Sequence, residues 1–433
     1  MVCTHMKILV LGSGGREHAL VWRLRGSAGV ERVWCAPGNG GIAREAECVA
    51  LPPEGMTNPA WLAALGTRLR PDLTVVGPEL PLVNGIADEF EARGLKLVGP
   101  SKQAARLEGS KIFAKEFLLR SGIPTAPMYG AFDSAGDAYS ALCAVDWPCV
   151  IKADGLAAGK GVLVATNPDE ATAFIDRLMV SREFGAAGER VLLEEALSGQ
   201  ELSYIVLTDG ETILPLVATR DHKRIFDGNR GPNTGGMGAY SADGMLSGEL
   251  EERILDTVIR PTLEAMKREG NPYRGFLYAG LMLTAAGPQV LEFNCRMGDP
   301  ETQAIVARMD FNLAEALQAA AEGGLKEIAA RWKSGASVCV VMAAAGYPGE
   351  PRTGMNISGL EAAAQVSDTV VFHAGTRRGE RPEETVVSGG RVLGVTATGP
   401  DLPAAAARAY EAAGKILFEG AQYRRDIGAN GSA

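Results

Sequence analysis

The pattern of apolar and polar positions changes twice along the chain. Between residues 7 and 106, short apolar runs rich in β-branched residues (KILVLG, ERVWCA, DLTVVGPE, LKLVGP) alternate with amphipathic stretches such as NPAWLAALGTRLR and LVNGIADEFEARG. Strand and helix in repeated alternation predict a parallel sheet with helices on its faces. From about residue 109 a helix, SKIFAKEFLLRSG, leads into strand-like runs around WPCVIKADG, GVLVATN, VLLEEAL and LSYIVLTDGETILPLV. Strand pairs joined by tight turns read as an α+β region running to about residue 330. Beyond it, SVCVVMAAAG, VVFHAG, TVVSGGRVLGVTATG and an alanine-rich helix, PAAAARAYEAAGKILF, read as a small mixed α/β closing domain. The expected fold is α/β plus α+β, with domains at 1–106, 107–330 and 331–433.

Size and composition agree with several cores. A chain of 433 residues exceeds what one core supports, and 46% hydrophobic with 22% charged residues is the balance of a globular protein. The longest apolar run, at 338–345, is far short of the roughly 20 residues of a membrane span. A net charge of -9 disfavours nucleic acid and anionic membranes as partners. The opening MVCTHMK lacks the pattern of a secretory signal, so a cytoplasmic location is expected, with Met6 an alternative start after an extension of residues 1–5. The seven cysteines (Cys3, Cys35, Cys48, Cys143, Cys149, Cys295, Cys339) are scattered and never spaced C-x-x-C. Neither a disulfide framework nor a zinc site is indicated.

The glycine loops narrow the chemistry. PGNGG at 37–41, GPELP at 77–81 and GPS at 99–101 all follow strand ends, the edge where open α/β sheets bind ligands. LGSGGREHAL begins like a dinucleotide fingerprint. Glu17 stands where the third small residue belongs, and the second strand ends in CAP without a carboxylate for ribose. What remains is either an anion cradle of Gly14, Gly15 and Arg16 at a helix N-terminus, or a tight turn with Arg16 and His18 solvated. The loop at 152–161, KADGLAAGKG, departs from a Walker A motif in its spacing and in having Gly161 where Ser or Thr would bind metal. It lies between two strands, so it is either a mobile surface hairpin or a lid over nucleotide phosphates.

Two further stretches carry polar groups in patterned positions. Glu292 and Asn294, two apart on the strand GPQVLEFN, share a face and offer oxygen ligands to a hard cation. Arg296 continues that face as a clamp for carboxylate or phosphate, with GDPE behind it at 298–301. ATRDHKRIFDGNRGPNTGGMGAY, residues 218–240, is a long loop dense in charge and glycine without an evident helix or strand pattern, which marks it as functional. Asp221, His222 and Lys223 lie in it, but no Ser or Cys sits in a nucleophile-elbow context.

Taken together, these segments resemble the ATP-grasp superfamily and, within it, the glycinamide ribonucleotide synthetase family. LGSGGREHAL, VGPELPLVNGI, GPSKQAARLEGSKIFAK, IKADGLAAGKGV, DHKR, GPNTGGMGAY, GFLYAGLM and EFNCRMGDPET look like the family's motifs in the family's order, and SGGRVLGVTATG looks like its C-terminal domain. The resemblance implies a Rossmann-like (pre-ATP-grasp) N-terminal domain, a central ATP-grasp domain with a mobile lid at about 124–195, and a small C-terminal domain. It implies ligation of glycine to 5-phosphoribosylamine with ATP through glycyl phosphate, giving glycinamide ribonucleotide, ADP and phosphate, the second step of purine synthesis. Lys111 and Lys152 match the phosphate-binding lysines, and Gly159, Lys160 and Gly161 the lid tip. Glu194, Glu195 and Leu197 match the adenine-reading strand, Glu201 the ribose contact, and Glu292 and Asn294 the ligands of Mg²⁺ or Mn²⁺. Gly14, Gly15, Arg16, Asp221, Asn233, Gly235, Gly236 and Arg296 are assigned to substrates: Arg16 and its glycines to the 5-phosphate, Asp221 to the glycine amine, and Arg296 to the transferring phosphate or the glycine carboxylate. Lys152, Asp221 and Arg296 are the expected catalytic residues.

One position departs from the superfamily pattern. Gly280 stands where many members have a second acidic metal ligand, so the second metal is absent or completed by phosphate and water. The rival readings are another ATP-grasp ligase or carboxylase, a nicotinamide-dependent oxidoreductase, and a non-catalytic nucleotide-binding regulator. The partners expected are small molecules; a monomer is expected, with a homodimer as the alternative.

Overall fold

The apolar runs of the N-terminal region form a five-stranded parallel sheet, with Met6–Gly12 at its centre between Val30–Pro37 and Leu73–Val76, and Glu47–Cys48 and Leu97–Val98 at the edges. A computed structural model gives the structure of residues 5–157, 159–381 and 383–429; Cys3, most of the N-terminal extension and Ala158 of the glycine-rich loop lie outside the described residues. The central strand is apolar on both faces, and its residues 8–11 are fully buried because helices cover each side. The helix Gly15–Arg25 follows the first strand directly and packs on Glu301–Arg308 of the central region. Gly15 permits that approach, since a β-carbon there would stand 2.6 Å from Gln303 Nε2.

Two antiparallel sheets follow. Met128–Phe132, Val191–Glu195, Cys149–Ala153 and Val162–Ala165 form one, with its own core of Ile151, Phe174, Ile175, Leu178 and Leu193. The second carries Ile213–Pro215, Gln200–Thr208, Gly275–Thr284 and Gly287–Asn294 in that order. Its last hairpin contains a bulge that pairs Gly280 with Glu292 but Leu281 with Val290.

The C-terminal sheet crosses the expected boundary at residue 330. Its order is Arg220–Asp221, Gly238–Ala242, Ala336–Ala343, Arg391–Gly399 and Thr369–His373, so two of its strands come from the stretch read as a loop. That stretch also holds a hairpin, Arg224–Phe226 with Arg230–Asn233. These strands have between two and five residues and are rich in glycine and charge, which removes the period-two signal. The helix Leu402–Lys415, capped by Asp401 accepting from Ala404 N–H at 2.8 Å, covers one face of the sheet. No helix among the described residues is long and apolar enough to cross a membrane.

Candidate active site

Lys111 opens the helix Lys111–Arg120, whose cap Ser110 accepts from Phe113 N–H at 3.0 Å. Asp154, at the base of the glycine-rich loop, accepts from Ser110 Oγ (2.7 Å) and Ile112 N–H (2.9 Å), so the helix start and the loop base move as one piece. Burial lowers the Lys111 ammonium from its ordinary range, against the pull of Glu292. Lys152 Nζ donates to Leu291 O at 2.9 Å and pairs with Glu194. Glu194 in turn pairs with Lys115 Nζ at 2.6 Å, and Lys115 also donates to Thr125 Oγ1 and Ala126 O, both at 2.8 Å. Of the adenine-strand residues, Glu194 is thus a buried counter-ion to two lysines, Glu195 is exposed and Leu197 half-buried.

The strand Gly287–Asn294 brings Glu292 and Asn294 to the same side, both half-buried, as its period requires. Burial alone would raise the Glu292 carboxyl, but Lys223, Lys111 and Lys152 together hold it below the usual carboxylate range. Lys223 Nζ stands 3.9 Å from Glu292 and 3.4 Å from Glu201. Asp221 faces the same group: burial raises its carboxyl, Lys223 opposes, and Glu301, Glu201 and Glu292 raise it further. Among the described residues no three or more His, Cys, Asp or Glu side chains are grouped to hold a metal. Glu292 and Asn294 offer a two-oxygen set that would suit a hard cation, with its remaining ligands supplied from outside the protein.

Arg296 is less free than the sequence implied. Its guanidinium bonds Glu108 at 2.9 Å, Glu79 at 3.3 Å and Asn294 Oδ1 at 3.2 Å, tying the short helices of Glu79 and Glu108 to the strand Gly287–Asn294. Arg16 is likewise engaged, with Nε on Glu17 at 2.6 Å and Nη1 donating to Met297 O at 3.2 Å. Glu17 explains both the missing third glycine and the failed fingerprint. Its carboxylate accepts from Gly14 N–H, and its side chain fills the space beside Gly12 and Gly77, where a β-carbon would lie 2.5 Å from Glu17 Cγ and 1.9 Å from Glu17 Oε1. The Gly14 N–H and the Arg16 Nε are thus both engaged by Glu17, so neither donor points freely outward from this turn.

The groove lies one wall further out. A cavity of about 390 Å³ runs between Ser13, Gly14 and Asn39 on the N-terminal sheet edge and Thr376, Ser388 and Arg391 of the C-terminal region, with Asp299 at its floor. Asn39 fixes the seam, its Nδ2 donating to Ser13 O and His373 O, both at 2.8 Å. Among the assigned loop residues, Gly235 N–H donates to Tyr347 Oη at 3.0 Å, and Gly236 adopts φ +115, a conformation suited to glycine. Asn233 ends the hairpin strand and Gly159 lies against Thr234 O. Sequence reasoning missed Lys115, Lys223, Glu301, Asp299 and Arg391 as site residues. DHKR and GDPE were the signals for three of them; Lys115 and Arg391 lie within the stretches GPSKQAARLEGSKIFAK and SGGRVLGVTATG, but neither was given a role there.

A parallel-sheet domain, a two-sheet nucleotide cleft with a separate lid and converging lysines on a carboxylate define an ATP-grasp carbon–nitrogen ligase. Residues 6–108 match the N domain of phosphoribosylglycinamide synthetase, 109–302 its ATP-grasp (A) domain and 337–430 its C domain. The phosphoribosylamine–glycine ligase of Pseudomonas aeruginosa is 49% identical over 426 residues, covering 98% of this chain and 97% of its own, and that of Escherichia coli O6:H1 is 50% identical over 98% of both. The crystal structure of the Thermotoga maritima phosphoribosylamine–glycine ligase superposes with a TM-score of 0.80 at 33% identity, covering 97% of this chain and 99% of that one. A biotin carboxylase domain from Hydrogenobacter thermophilus, bound to MgADP and bicarbonate, shares the fold at 17% identity and a TM-score of 0.72 over 96% and 91%. The chain belongs to the phosphoribosylglycinamide synthetase family, whose activity is ATP-dependent joining of glycine to 5-phosphoribosylamine in the second step of purine synthesis.

Proposed function

We propose that the cleft between the lid sheet and the strand Gly287–Asn294 binds ATP with its divalent cation, that the cluster around Asp221 and Glu292 receives glycine, and that the 390 Å³ groove receives phosphoribosylamine. The observation that carries this reading is the convergence of lysines on the strand of Glu292 and Asn294: Lys223 Nζ lies 3.9 Å from Glu292 and Lys152 Nζ donates to Leu291 O at 2.9 Å, with Lys111 also acting on the Glu292 carboxylate. Several ammonium groups around one hard-oxygen pair are the charge pattern of a polyphosphate and its cation. Glu292 and Asn294 would hold Mg²⁺ or Mn²⁺, which would supply neutralisation of phosphate charge.

The chain's own groups then do the following. Lys152 leaves Glu194 for the phosphates, and Glu194 keeps Lys115 as its counter-ion, so no buried charge is left alone. Lys111 neutralises phosphate oxygens from a helix start anchored to the lid base. Gly159, Lys160 and Gly161 close over the phosphates, and Leu197, Glu195 and Glu201 line the nucleoside end. Asp221 pairs with the glycine ammonium, leaving the glycine carboxylate to attack the γ-phosphorus. One carboxylate oxygen bonds phosphorus and ADP departs, giving glycyl phosphate. The phosphoribosylamine nitrogen then attacks the acyl carbon; phosphate leaves with the carbon–oxygen bond pair and the nitrogen loses a proton as the amide forms. Phosphorylation is needed because a carboxylate oxygen is a poor leaving group, and the protein's contribution is positioning and charge neutralisation. Arg296 acts by fixing Asn294, and the hydroxyl-rich wall of Ser13, Thr376 and Ser388 takes the phosphoribosyl group. A cytoplasmic location is expected of it, as a monomer or, alternatively, a homodimer.

ADP release tests the reading, with ATP, glycine and phosphoribosylamine supplied together and with each omitted in turn. Product requires all three, and ADP formed without glycine overturns the ligase assignment for this site. Glu292→Ala is expected to lower turnover at least ~100-fold with native secondary structure retained by circular dichroism, in line with loss of a charge-stabilising group.

A further inference from the structure

We propose that Arg391 is a positioning residue that couples closure of the ATP lid to the phosphoribosylamine groove. The inference rests on the assignment of ATP to the lid cleft and of phosphoribosylamine to the groove. Arg391 opens the strand Arg391–Gly399 and belongs to neither loop it holds. Its Nη1 donates to Gly235 O at 2.6 Å, Asp299 O at 2.7 Å and Gly236 O at 3.4 Å, and its Nη2 to Asp299 Oδ2 at 3.1 Å. One planar fork thus bolts the Gly235–Gly236 turn to the Asp299 loop, an arrangement a single ammonium lacks the geometry to reproduce.

Each loop has a second attachment. On the lid side, Gly159 at φ +76 lies so close to the turn that a β-carbon there would stand 2.9 Å from Thr234 O. On the other side, a β-carbon at Gly236 would stand 2.6 Å from Pro300 Cδ, so the turn and the Asp299 loop are in direct contact. Asp299 and Arg391 both line the groove, and the Arg391 carbonyl accepts from Gly375 N–H at 2.8 Å, setting the facing wall. The lid tip, the turn at 234–236, Arg391 and the groove wall therefore form an unbroken chain of contacts. Withdrawal of the lid removes Gly159 from Thr234 and leaves the Arg391 fork, with the Gly236–Pro300 contact, to hold the turn to the groove floor. A lid that closes on nucleotide then favours the groove's binding-competent shape, and by linkage a filled groove favours the closed lid.

Calorimetry on the full-length enzyme tests this with a non-hydrolysable ATP analogue plus Mg²⁺ and with glycinamide ribonucleotide, the product that shares the phosphoribosyl group. In the wild type the analogue should tighten glycinamide ribonucleotide binding about 10-fold, within the usual range of coupling. Arg391→Met should reduce that ratio to within about twofold of unity while the analogue's own Kd stays within about twofold of wild type, and Arg391→Lys should fall between. Gly159→Ala, at the far end of the chain of contacts, should also lower the ratio, which keeps the test open if Arg391→Met folds poorly. A purely structural role would weaken both ligands together and leave the ratio untouched. An unchanged ratio in Arg391→Met or Arg391→Lys overturns the proposal, as does a wild type that binds both ligands without linkage. A wild type that binds neither ligand overturns the substrate assignment and the coupling with it.

Discussion

Two buried carboxylates set the character of the site by opposite means. Glu17 accepts the helix-start N–H of Gly14 and closes a turn that otherwise resembles a phosphate cradle. Glu194 instead stores two ammonium groups, Lys115 and Lys152, of which only Lys152 faces the cleft through Leu291 and Glu292. Lys115 has three buried acceptors and no route to ligand, so its removal strands Glu194 with one partner and leaves Thr125 and Ala126 without a donor. Lys115→Met is therefore expected to cost about 3 kcal/mol in urea unfolding. The double variant with Glu194→Gln should cost less than the sum of the singles by about 1 kcal/mol or more; strict additivity would show that the pair does not interact. At this scale the sequence was legible where periodicity places side chains, as for Glu292 and Asn294 on one strand face. Pairings between distant segments, Arg296 with Glu79 and Glu108 or Arg16 with Met297, leave no local signal and were read as free groups.

Between elements, the contact of the first helix with the strand Thr369–His373 closes the N-terminal sheet edge against the C-terminal region. His373 N–H donates to His18 Nδ1 at 2.7 Å, so the His18 proton resides on Nε2, 3.2 Å from Glu45 Oε1. Burial, with His18 and Arg44 nearby, lowers His373 to about 3. The depressed value means that the unfolded chain binds a proton at His373 near its ordinary pKa of about 6.5 while the folded chain does not. This contribution to stability is whole above about pH 6.5 and is lost as pH falls from there toward 3. His373→Gln should flatten the decline in unfolding free energy between pH 6.5 and 4.5 by up to about 1.4 kcal/mol per pH unit. Urea midpoints at several pH values measure it, and parallel declines in both proteins would show the histidine to be uninvolved. Neither histidine stood out in the sequence, since their meeting depends on how the C-terminal sheet docks. The alternation of strand and helix in the N-terminal region was legible because each element there is long and apolar enough to show its period. The short strands at 220–221 and 238–242 were not, because glycine and charge interrupt the pattern and their partner strand lies far along the chain.

Across the whole molecule the cores divide unevenly. One cluster joins Ile8 and Val10 of the first strand to Ile205 and Leu207 of the central sheet and to Phe372 of the C-terminal region, and another joins Tyr240 to Val338 and Ala409. The lid's cluster, Ala138 through Leu193, contains residues of the lid alone. Three sequence regions therefore share apolar contacts that none can keep if another unfolds, whereas the lid can open with its own core intact or melt without uncovering theirs. Native-state hydrogen exchange in low denaturant separates these cases. Amides of the strands Cys149–Ala153 and Val191–Glu195 should exchange through a sub-global opening of lower free energy and smaller denaturant dependence. Those of Met6–Gly12 and Ala336–Ala343 should exchange only with global unfolding, at one common free energy. Divergence of the two latter strands would mean that the C-terminal sheet unfolds independently of the N-terminal one. The shared strands Arg220–Asp221 and Gly238–Ala242 and the Arg391 fork would then be too weak to hold the groove as a single structure.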